Sequence, residues 1–316
     1  MKKLSIVVTL LNEEENIKPL LAAIHAGLKG VDYEIVLVDD GSTDNTKKII
    51  LECNDEKVVL VELRKNYGQS AAMMAGIDHT CGEFIALMDG DLQNDPSDIP
   101  AMLNLLKTED FEMVAGNRKN RKDGFFLRKI PSKIANILIR KLTGVNIYDY
   151  GCTLKVIRRE LAEELKLYGE LHRFIPVLAK LQGARIVQVD VNHFSRQFGK
   201  SKYGIGRTLK VISDLMLMMF MRRYLYKPIH LFGTIGFLSL SIGILINVYL
   251  FIWKLLGHDI WNRPLLILGV ILLLGGIQFI TIGFLAEINI RTYFESQHKK
   301  TYTIRNVFST KNEIKG

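Results

Sequence analysis

The chain has 316 residues, 48% of them hydrophobic, and its formal net charge at pH 7 is +9. This length accommodates one large domain with additions, and the positive charge favours anionic partners such as a membrane surface or phosphate groups. Nucleic acid is the competing explanation for a basic chain, but the sequence lacks zinc-finger spacing and an aromatic RNA-binding signature. Three widely spaced cysteines, Cys53, Cys81 and Cys152, argue against a disulfide framework or a metal cluster and favour a reducing cytosol.

Short apolar segments alternate with helical segments in the first 116 residues. Strands are predicted over residues 4–11, 33–40, 58–63, 83–88 and 111–116. Helices are predicted after Asn12, from Thr43, over 68–79 and over 96–107. Strands alternating with helices predict a doubly wound, mostly parallel α/β sheet that binds its ligands at the carboxyl ends of the strands.

The pattern is less regular from residue 117 to residue 205. Helices are predicted over 134–142, 158–167 and 171–182, a loop over 146–151 and a further strand over 184–192. Two basic stretches accompany these elements: residues 117–129 contain six cations, and residues 196–204 form a loop broken by glycine. Such stretches usually form a solvated surface, and a surface that binds phosphate or faces a membrane is the alternative.

Two carboxylates, Asp89 and Asp91, follow the fourth predicted strand and are separated by Gly90. Alternate side chains of an extended chain share a face, so both carboxylates can converge on one point. Gln93, at the next alternate position, can add a neutral oxygen. Hard oxygen ligands in this place suit Mg²⁺ or Mn²⁺ carrying a diphosphate. A polar turn is the alternative, because Asp-Gly-Asp is common in turns.

Two long segments near the C-terminus, 231–253 and 264–286, contain no charged residue. At a rise of about 1.5 Å per residue, each is long enough to cross a hydrocarbon core of ~30 Å. Before them, residues 206–227 carry apolar side chains at helical spacing with basic residues near both ends. That pattern predicts an amphipathic helix in the membrane interface, and a buried core helix is the alternative.

Basic residues flanking the two spans outnumber those in the loop that connects them, so both termini and the α/β domain are predicted to be cytoplasmic at a plasma membrane. The predicted organisation has four parts. They are an α/β domain over 1–205, a juxtamembrane helix over 206–229, a two-helix anchor over 230–290 and a tail over 291–316.

Three motifs occur in order along the chain: Asp39-Asp40-Gly41-Ser42-Thr43-Asp44, Asp89-Gly90-Asp91-Leu92-Gln93 and Arg196-Gln197-Phe198-Gly199-Lys200-Ser201-Lys202. Through these motifs, residues 4–210 resemble family 2 glycosyltransferases. The sequence is similar to the polyprenyl-phosphate branch, which includes dolichol-phosphate mannose synthases and bacterial undecaprenyl-phosphate glucosyltransferases. The resemblance implies a GT-A fold and an inverting transfer of a hexose from a nucleotide-diphosphate sugar to a polyprenyl phosphate.

The resemblance also implies roles for individual residues. The nucleotide sugar would be bound by Thr9, Leu11, Glu13, Val38, Asp40, Asp89, Gly90, Asp91, Gln93, Arg118, Arg196 and Lys202. Within this set, Val38 and Asp40 would hold the base and ribose, and Arg196 and Lys202 the diphosphate. Asp89, Asp91 and Gln93 would hold Mg²⁺ or Mn²⁺, and Arg118, Arg128 and Ser132 would bind the acceptor phosphate. Many relatives have proline where this chain has Thr9, which leaves that contact open.

General chemistry supports the same assignment. The departing diphosphate is an anion, which a divalent metal and a neighbouring cation would neutralise. A phosphate monoester with a second pKa of ~6 is already ionised, so transfer needs alignment more than a general base. Asp91, Arg128 and Asp149 are the predicted catalytic residues, with Asp149 as base or orienting carboxylate. A loop acid that makes a turn or an ion pair is the alternative for Asp149, and lone histidines such as His193 are expected to be structural.

Other functions remain as alternatives. One is an enzyme of the dolichol-phosphate mannose synthase type that uses GDP-mannose, although UDP-glucose or a related UDP-hexose is favoured as the donor. Another is a membrane-anchored module that binds polyanions without catalysis, which leaves the strand-end acids unexplained. A processive polysaccharide synthase would carry a Gln-x-x-Arg-Trp motif, which this chain lacks. The expected partners are a nucleotide sugar, a polyprenyl phosphate and the bilayer, without nucleic acid, and a homo-oligomer is compatible with the sequence.

Overall fold

The computed structural model describes residues 3–118, 140, 145–167, 169, 171–195, 228–261 and 263–296. The chain forms two compact units, Met1–Met218 and Met219–Gly316. The predicted juxtamembrane helix over 206–227 and the part of the tail from residue 297 onward lie outside the described residues.

One sheet forms the frame of the first unit. Within the described residues its strands are β1 (Leu4–Leu10), β2 (Tyr33–Asp39), β3 (Val58–Glu62), β4 (Phe84–Asp89), β5 (Met113–Arg118), β6 (Lys155–Arg158) and β7 (Ile186–Val191). Their order across the sheet is β3-β2-β1-β4-β6-β5-β7, and β6 runs antiparallel to both of its neighbours. The other pairs of neighbours are parallel. The doubly wound, mostly parallel sheet predicted from the sequence is therefore confirmed.

Helices cover both faces of this sheet. The helices described in the first unit are α1 (Ile17–Gly27), α2 (Thr46–Glu52), α3 (Gln69–Asp78), α4 (Ile99–Thr108), α5 (Arg159–Glu164) and α6 (Ile175–Leu181). On one face, Leu4 and Ile6 of β1 share a hydrophobic cluster with α1 and α4. On the other face, a Cβ added to Gly76 of α3 would lie 2.3 Å from Val7 Cγ1 and 3.0 Å from Val38 Cγ2. Glycine therefore permits the close packing that holds α3 against β1 and β2.

Three elements in the second part of this unit differ from the prediction. No strand is predicted at residues 155–158, which form β6, and the helix predicted over 158–167 spans only Arg159–Glu164. The segment 171–182, predicted as one helix, contains a 3₁₀ helix at Leu171–Phe174 followed by α6. Pro176 lies in the first turn of α6, where a missing N–H is tolerated, so the α-helix begins just before it.

The second unit contains two long helices, α7 (Ile229–Leu255) and α8 (Pro264–Ser296). Both are long and apolar enough to cross a membrane, with mean hydropathies of 2.2 in Ile229–Leu255 and 2.6 in Pro264–Ile290. They approach each other closely at glycines, since a Cβ on Gly236 would lie 2.8 Å from Gly276 O. The Ser239 hydroxyl also donates to a carbonyl oxygen of α8 over 2.9 Å. Small residues and interhelical hydrogen bonds of this kind favour association where the hydrophobic effect is absent.

Candidate active site

The predicted acids lie together at one edge of the sheet. In the strand ladder, Thr9 of β1 is opposite both Val38 of β2 and Asp89 of β4. The three strands are parallel, so their carboxyl ends share this edge, and the chain continues from it into Asp40 and Asp91. The edge that the sequence predicts for ligand binding is therefore acidic.

The loops that follow β1 and β2 are joined to each other. Asn12 N donates to Ser42 Oγ over 2.9 Å, and Glu13 N donates to Thr46 Oγ1 over 2.9 Å. Asn12 has a φ of 49°, a left-handed conformation that asparagine tolerates better than most residues. The backbone around Leu11 and Glu13, two predicted contacts of the nucleotide, is thus tied to the loop before α2 and to the first residue of α2.

Asp40 accepts backbone hydrogen bonds from the loop before α3 on both carboxylate oxygens. Tyr67 N lies 2.7 Å from Oδ1, and Gly68 N lies 2.9 Å from Oδ2. The pKa of the Asp40 carboxyl is raised, mainly by burial and also by the Asp39 carboxylate, although the two N–H groups oppose this shift. Asp40 therefore fixes the start of α3, and its contact with the nucleotide stays a prediction. Val38 has no exposed surface and lies between two parallel strands, so its predicted contact is not supported by this geometry.

Asp89, at the end of β4, is held on both carboxylate oxygens. Gln69 Nε2 donates to Oδ1 over 2.6 Å, and Thr153 Oγ1 donates to Oδ2 over 2.5 Å. At the next residue, Gly90, an added Cβ would lie 2.3 Å from Leu10 Cδ2, so the chain passes close to the end of β1. Gln69 and Thr153 are absent from the predicted site.

The chain turns sharply after Asp91, which is buried. Leu92 has a φ of 60°, in the left-handed region that leucine rarely adopts. Gln93 N donates back to Asp91 Oδ1 over 3.2 Å. Asn94 forms an isolated antiparallel bridge with His193, just beyond β7. This bridge brings the chain after β7 to the turn that carries Asp91, which the sequence pattern does not indicate.

Asp89 and Asp91 suit a particular kind of metal site. Among the residues that the structure describes, no group of three or more histidine, cysteine, aspartate or glutamate side chains converges as metal ligands would. A closed protein cage such as a structural zinc site therefore does not fit these residues. Mg²⁺ does fit, because it binds through one or two carboxylates and takes its remaining ligands from water and substrate phosphates. Gln93 remains a predicted third protein ligand.

Arg118 and Asp149 form a buried bidentate ion pair. Nε of Arg118 lies 2.6 Å from Oδ2 of Asp149, and Nη2 lies 2.9 Å from Oδ1. The two side chains are 13% and 6% exposed, and Gly151 N also donates to Oδ1 of Asp149 over 3.1 Å. This geometry matches the ion-pair alternative for Asp149 and does not support its role as a base, because a guanidinium engages both oxygens. The contact of Arg118 with the acceptor phosphate stays a prediction.

A buried lysine lies close to these acids and is absent from the predicted site. Lys155, the first residue of β6, is 2% exposed and donates through Nζ to Cys152 O. Burial lowers the pKa of its ammonium group, and the charges of Asp89 and Asp149 oppose that shift. Burial raises the pKa of the Cys152 thiol to about 11, so this thiol is neutral at pH 7. The sequence offers only a weak indication of β6, because the strand contains just two β-branched residues, which follow a lysine.

Four predicted site residues, Arg128, Ser132, Arg196 and Lys202, lie outside the described residues. Their roles stay predictions. Within the described residues, the site contains the strand-end acids with Gln69 and Thr153, the two joined loops, Lys155, and the ion pair of Arg118 with Asp149.

Residues 5–166 match the sequence profile of glycosyl transferase family 2. The chain belongs to this family. This glycosyltransferase is 46% identical over 322 residues to dodecaprenyl-phosphate galacturonate synthase from Rhizobium johnstonii, a match that covers 98% of this chain and 94% of the relative. It is 33% identical over 314 residues to undecaprenyl-phosphate 4-deoxy-4-formamido-L-arabinose transferase from Photorhabdus laumondii, which covers 97% of this chain and 94% of the relative.

These matches confirm the predicted membership of the polyprenyl-phosphate branch. The structure of the glycosyltransferase is also similar to a crystal structure of glucosyl-3-phosphoglycerate synthase from Mycobacterium tuberculosis in complex with Mn²⁺, uridine-diphosphate-glucose and glycerol 3-phosphate. The TM-score is 0.53 at 18% sequence identity, and the match covers 70% of this chain and 80% of the other. At this identity the likeness shows the fold alone, and the predicted GT-A fold is confirmed.

Proposed function

We propose that this glycosyltransferase transfers a sugar from a nucleoside diphosphate to a polyprenyl phosphate, with inversion at the anomeric carbon. The similarity to dodecaprenyl-phosphate galacturonate synthase carries the proposal, because it extends over 98% of the chain and so includes both long apolar helices. The acids at the sheet edge argue against a module that only binds polyanions, because Asp89 and Asp91 would repel such a ligand unless a cation intervened.

For the donor sugar we propose galacturonate, and 4-deoxy-4-formamido-arabinose is the second candidate. The relative that is 46% identical is named for galacturonate, and the relative that is 33% identical is named for the formamido sugar. The sequence analysis favours UDP-glucose, and neither of these names supports glucose. Neither name supports mannose. Uridine diphosphate stays the proposed nucleotide.

A divalent cation, Mg²⁺ or Mn²⁺, is proposed as the cofactor, held by Asp89, Asp91 and Gln93. The Mn²⁺ in the Mycobacterium tuberculosis structure supports this choice for the same fold. When bound, the ion neutralises the charge of the departing diphosphate. The contribution of the chain itself is to hold the carboxylates in fixed positions, through the contacts of Asp89 with Gln69 and the turn that follows Asp91.

The proposed reaction is a single displacement. An oxygen of the acceptor phosphate attacks the anomeric carbon while the bond from that carbon to the diphosphate breaks. The acceptor is already ionised near neutral pH, since a phosphate monoester has a second pKa of ~6, so no carboxylate has to remove a proton. This is compatible with Asp149 being paired to Arg118 in place of serving as a base.

The acceptor phosphate is proposed to bind Arg128 and Ser132, and the donor diphosphate to bind Arg196 and Lys202. Arg128 and Ser132 are four residues apart and would share one face of a helix that begins near Arg128. A guanidinium fork and a hydroxyl together suit the geometry of one phosphate group. Thr9, Leu11 and Glu13, in and after β1, remain the proposed contacts of the nucleotide.

A panel of donors tests the proposed function. The full chain in detergent is incubated with polyprenyl phosphate, Mn²⁺ or Mg²⁺, and one of UDP-galacturonate, UDP-4-deoxy-4-formamido-arabinose, UDP-glucose or GDP-mannose. Lipid-linked sugar is expected with UDP-galacturonate. Product from UDP-glucose alone would contradict the proposed sugar, and no product with any donor would contradict the proposed transfer.

The orientation in the membrane gives a separate prediction. Both termini are proposed to be cytoplasmic, because basic residues are more numerous on the outer flanks of the two spans than in the loop between them. Cysteine is introduced as Asp259→Cys in that loop and as Lys315→Cys in the tail, in a chain without its three native cysteines. A membrane-impermeant maleimide added to intact cells is expected to label only the loop variant. Labelling of the tail variant alone would reverse the proposed orientation.

A further inference from the structure

The carboxylate of Asp89 is oriented by two side chains from separate parts of the chain. Gln69 Nε2 donates to Oδ1 over 2.6 Å, and Thr153 Oγ1 donates to Oδ2 over 2.5 Å. Each oxygen therefore accepts a hydrogen bond from a different part of the chain. Two such bonds fix both the position and the rotation of the carboxylate plane, which a single bond would not do.

Gln69 is held in place by the contacts of its neighbours in the chain. It is the first residue of α3, and the two residues before it donate their backbone N–H groups to Asp40. Ser70, the next residue, is buried and its hydroxyl accepts the His172 N–H over 3.1 Å. The start of α3 is therefore anchored on both sides of Gln69, which restricts where its amide can lie.

Thr153 is held in place by the antiparallel strand β6. In the ladder Leu87 of β4 pairs with Lys155 of β6. Antiparallel pairing extended by two residues places Thr153 across from Asp89, and side chains two residues apart share a face. The observed contact between Thr153 and Asp89 follows from that register. The insertion of β6 beside β4 therefore supplies the second donor.

We propose that Gln69 and Thr153 are positioning residues, which orient the Asp89 carboxylate for a divalent cation that carries the nucleoside diphosphate. The proposal rests on the metal role in the proposed function. Each carboxylate oxygen has two lone pairs, so the two hydrogen bonds orient Asp89 and still allow it to act as a ligand. Mg²⁺ requires near-ideal octahedral geometry, so a carboxylate that is already oriented binds it with a smaller loss of conformational entropy.

Three variants test the role of Thr153 in the full chain in detergent. Thr153→Val removes the hydroxyl with little change of shape, and Thr153→Ser keeps it. Thr108→Val is the matched control, because Thr108 is an exposed residue at the end of α4 whose hydroxyl contacts only the local carbonyl of Asn104 among the described interactions. Mn²⁺ affinity is measured with UDP present, from the paramagnetic resonance signal of the free ion.

We expect Thr153→Val to weaken Mn²⁺ binding about 10-fold, as the loss of a partner that orients a ligand typically does. Thr153→Ser and Thr108→Val should bind Mn²⁺ as the wild type does. Gln69→Leu is the second test, since Gln69 lies at a helix start and is only half-buried. It should weaken Mn²⁺ binding to a similar degree while the melting temperature changes little.

The outcomes separate this inference from the proposed function. If the wild type binds Mn²⁺ and both Thr153→Val and Gln69→Leu bind it with the same affinity, the positioning role alone would be overturned. A wild-type chain that binds no Mn²⁺ in the presence of UDP would overturn the metal role, and the positioning role with it. An equal loss of Mn²⁺ affinity in Thr153→Val and Thr153→Ser would overturn the positioning role, because the hydroxyl would then not be the determining group.

Discussion

Asp91→Asn is expected to lower glycosyl transfer about a thousandfold without unfolding the protein. A metal ion and its ligands supply several kcal/mol of charge stabilisation, and each 1.36 kcal/mol corresponds to about a tenfold change in rate. Asparagine has nearly the same shape as aspartate and keeps one oxygen to accept the Gln93 N–H, which lies 3.2 Å from Asp91 Oδ1. The charge is therefore removed while the turn is kept.

Initial rates with saturating donor and polyprenyl phosphate measure this effect, and Asp78→Asn is the matched control. Asp78 is an exposed residue at the end of α3, on the far side of that helix from Gln69. Its variant should retain the wild-type rate. Full activity of Asp91→Asn, or full activity of the wild type in excess EDTA, would show that a metal at Asp91 does not contribute to the reaction.

Arg118→Met is expected to lower the free energy of unfolding of the catalytic unit by about 3–5 kcal/mol, because it leaves a buried carboxylate without its cation. Arg118 and Asp149 are 13% and 6% exposed, so water cannot replace the lost hydrogen bonds easily. For a unit of this size, each kcal/mol corresponds to roughly 2–4 °C, so the melting temperature should fall by about 10 °C.

Thermal unfolding in detergent, followed by circular dichroism, measures this change. Replacing both partners, as Arg118→Met with Asp149→Leu, should recover most of the lost stability, because a buried ion pair is often no more stable than an apolar pair of similar volume. Arg64→Met is the control for the loss of a cation, since Arg64 is exposed, and should change stability by less than about 0.5 kcal/mol. An unchanged melting temperature in Arg118→Met would contradict the buried pair.

The double variant also separates stability from catalysis. If the only role of Arg118 is to pair with Asp149, the double variant, whose stability is restored, should transfer sugar at a substantial rate. If Arg118 instead binds the acceptor phosphate, as the resemblance implies, the double variant should be stable and inactive. The two roles predict different rates at the same melting temperature.

Much of the fold follows from local patterns in the sequence. The apolar segments at β1, β2 and β4 are continuous because both faces of the sheet are covered, and such segments are evident without knowledge of their partners. The acids Asp89 and Asp91 directly follow one of these segments, so their place at the carboxyl edge could also be predicted. The two long apolar helices are equally local, since length and composition suffice to predict them.

What surrounds those acids could be decided only by the tertiary structure. β6 has four residues and begins with Lys155, and it becomes a strand because β4 and β5 pair with it on both sides. That pairing brings Thr153 to Asp89 across 64 residues of sequence, and the neighbouring strand β5 brings Arg118 to Asp149 across 31 residues. Local periodicity records which face of an element is buried, but it does not record which distant side chain meets it. Local patterns therefore suffice to predict the parallel strands of the sheet, its acidic edge and the apolar helices, whereas long-range pairing determines β6 and the way in which the acids are held.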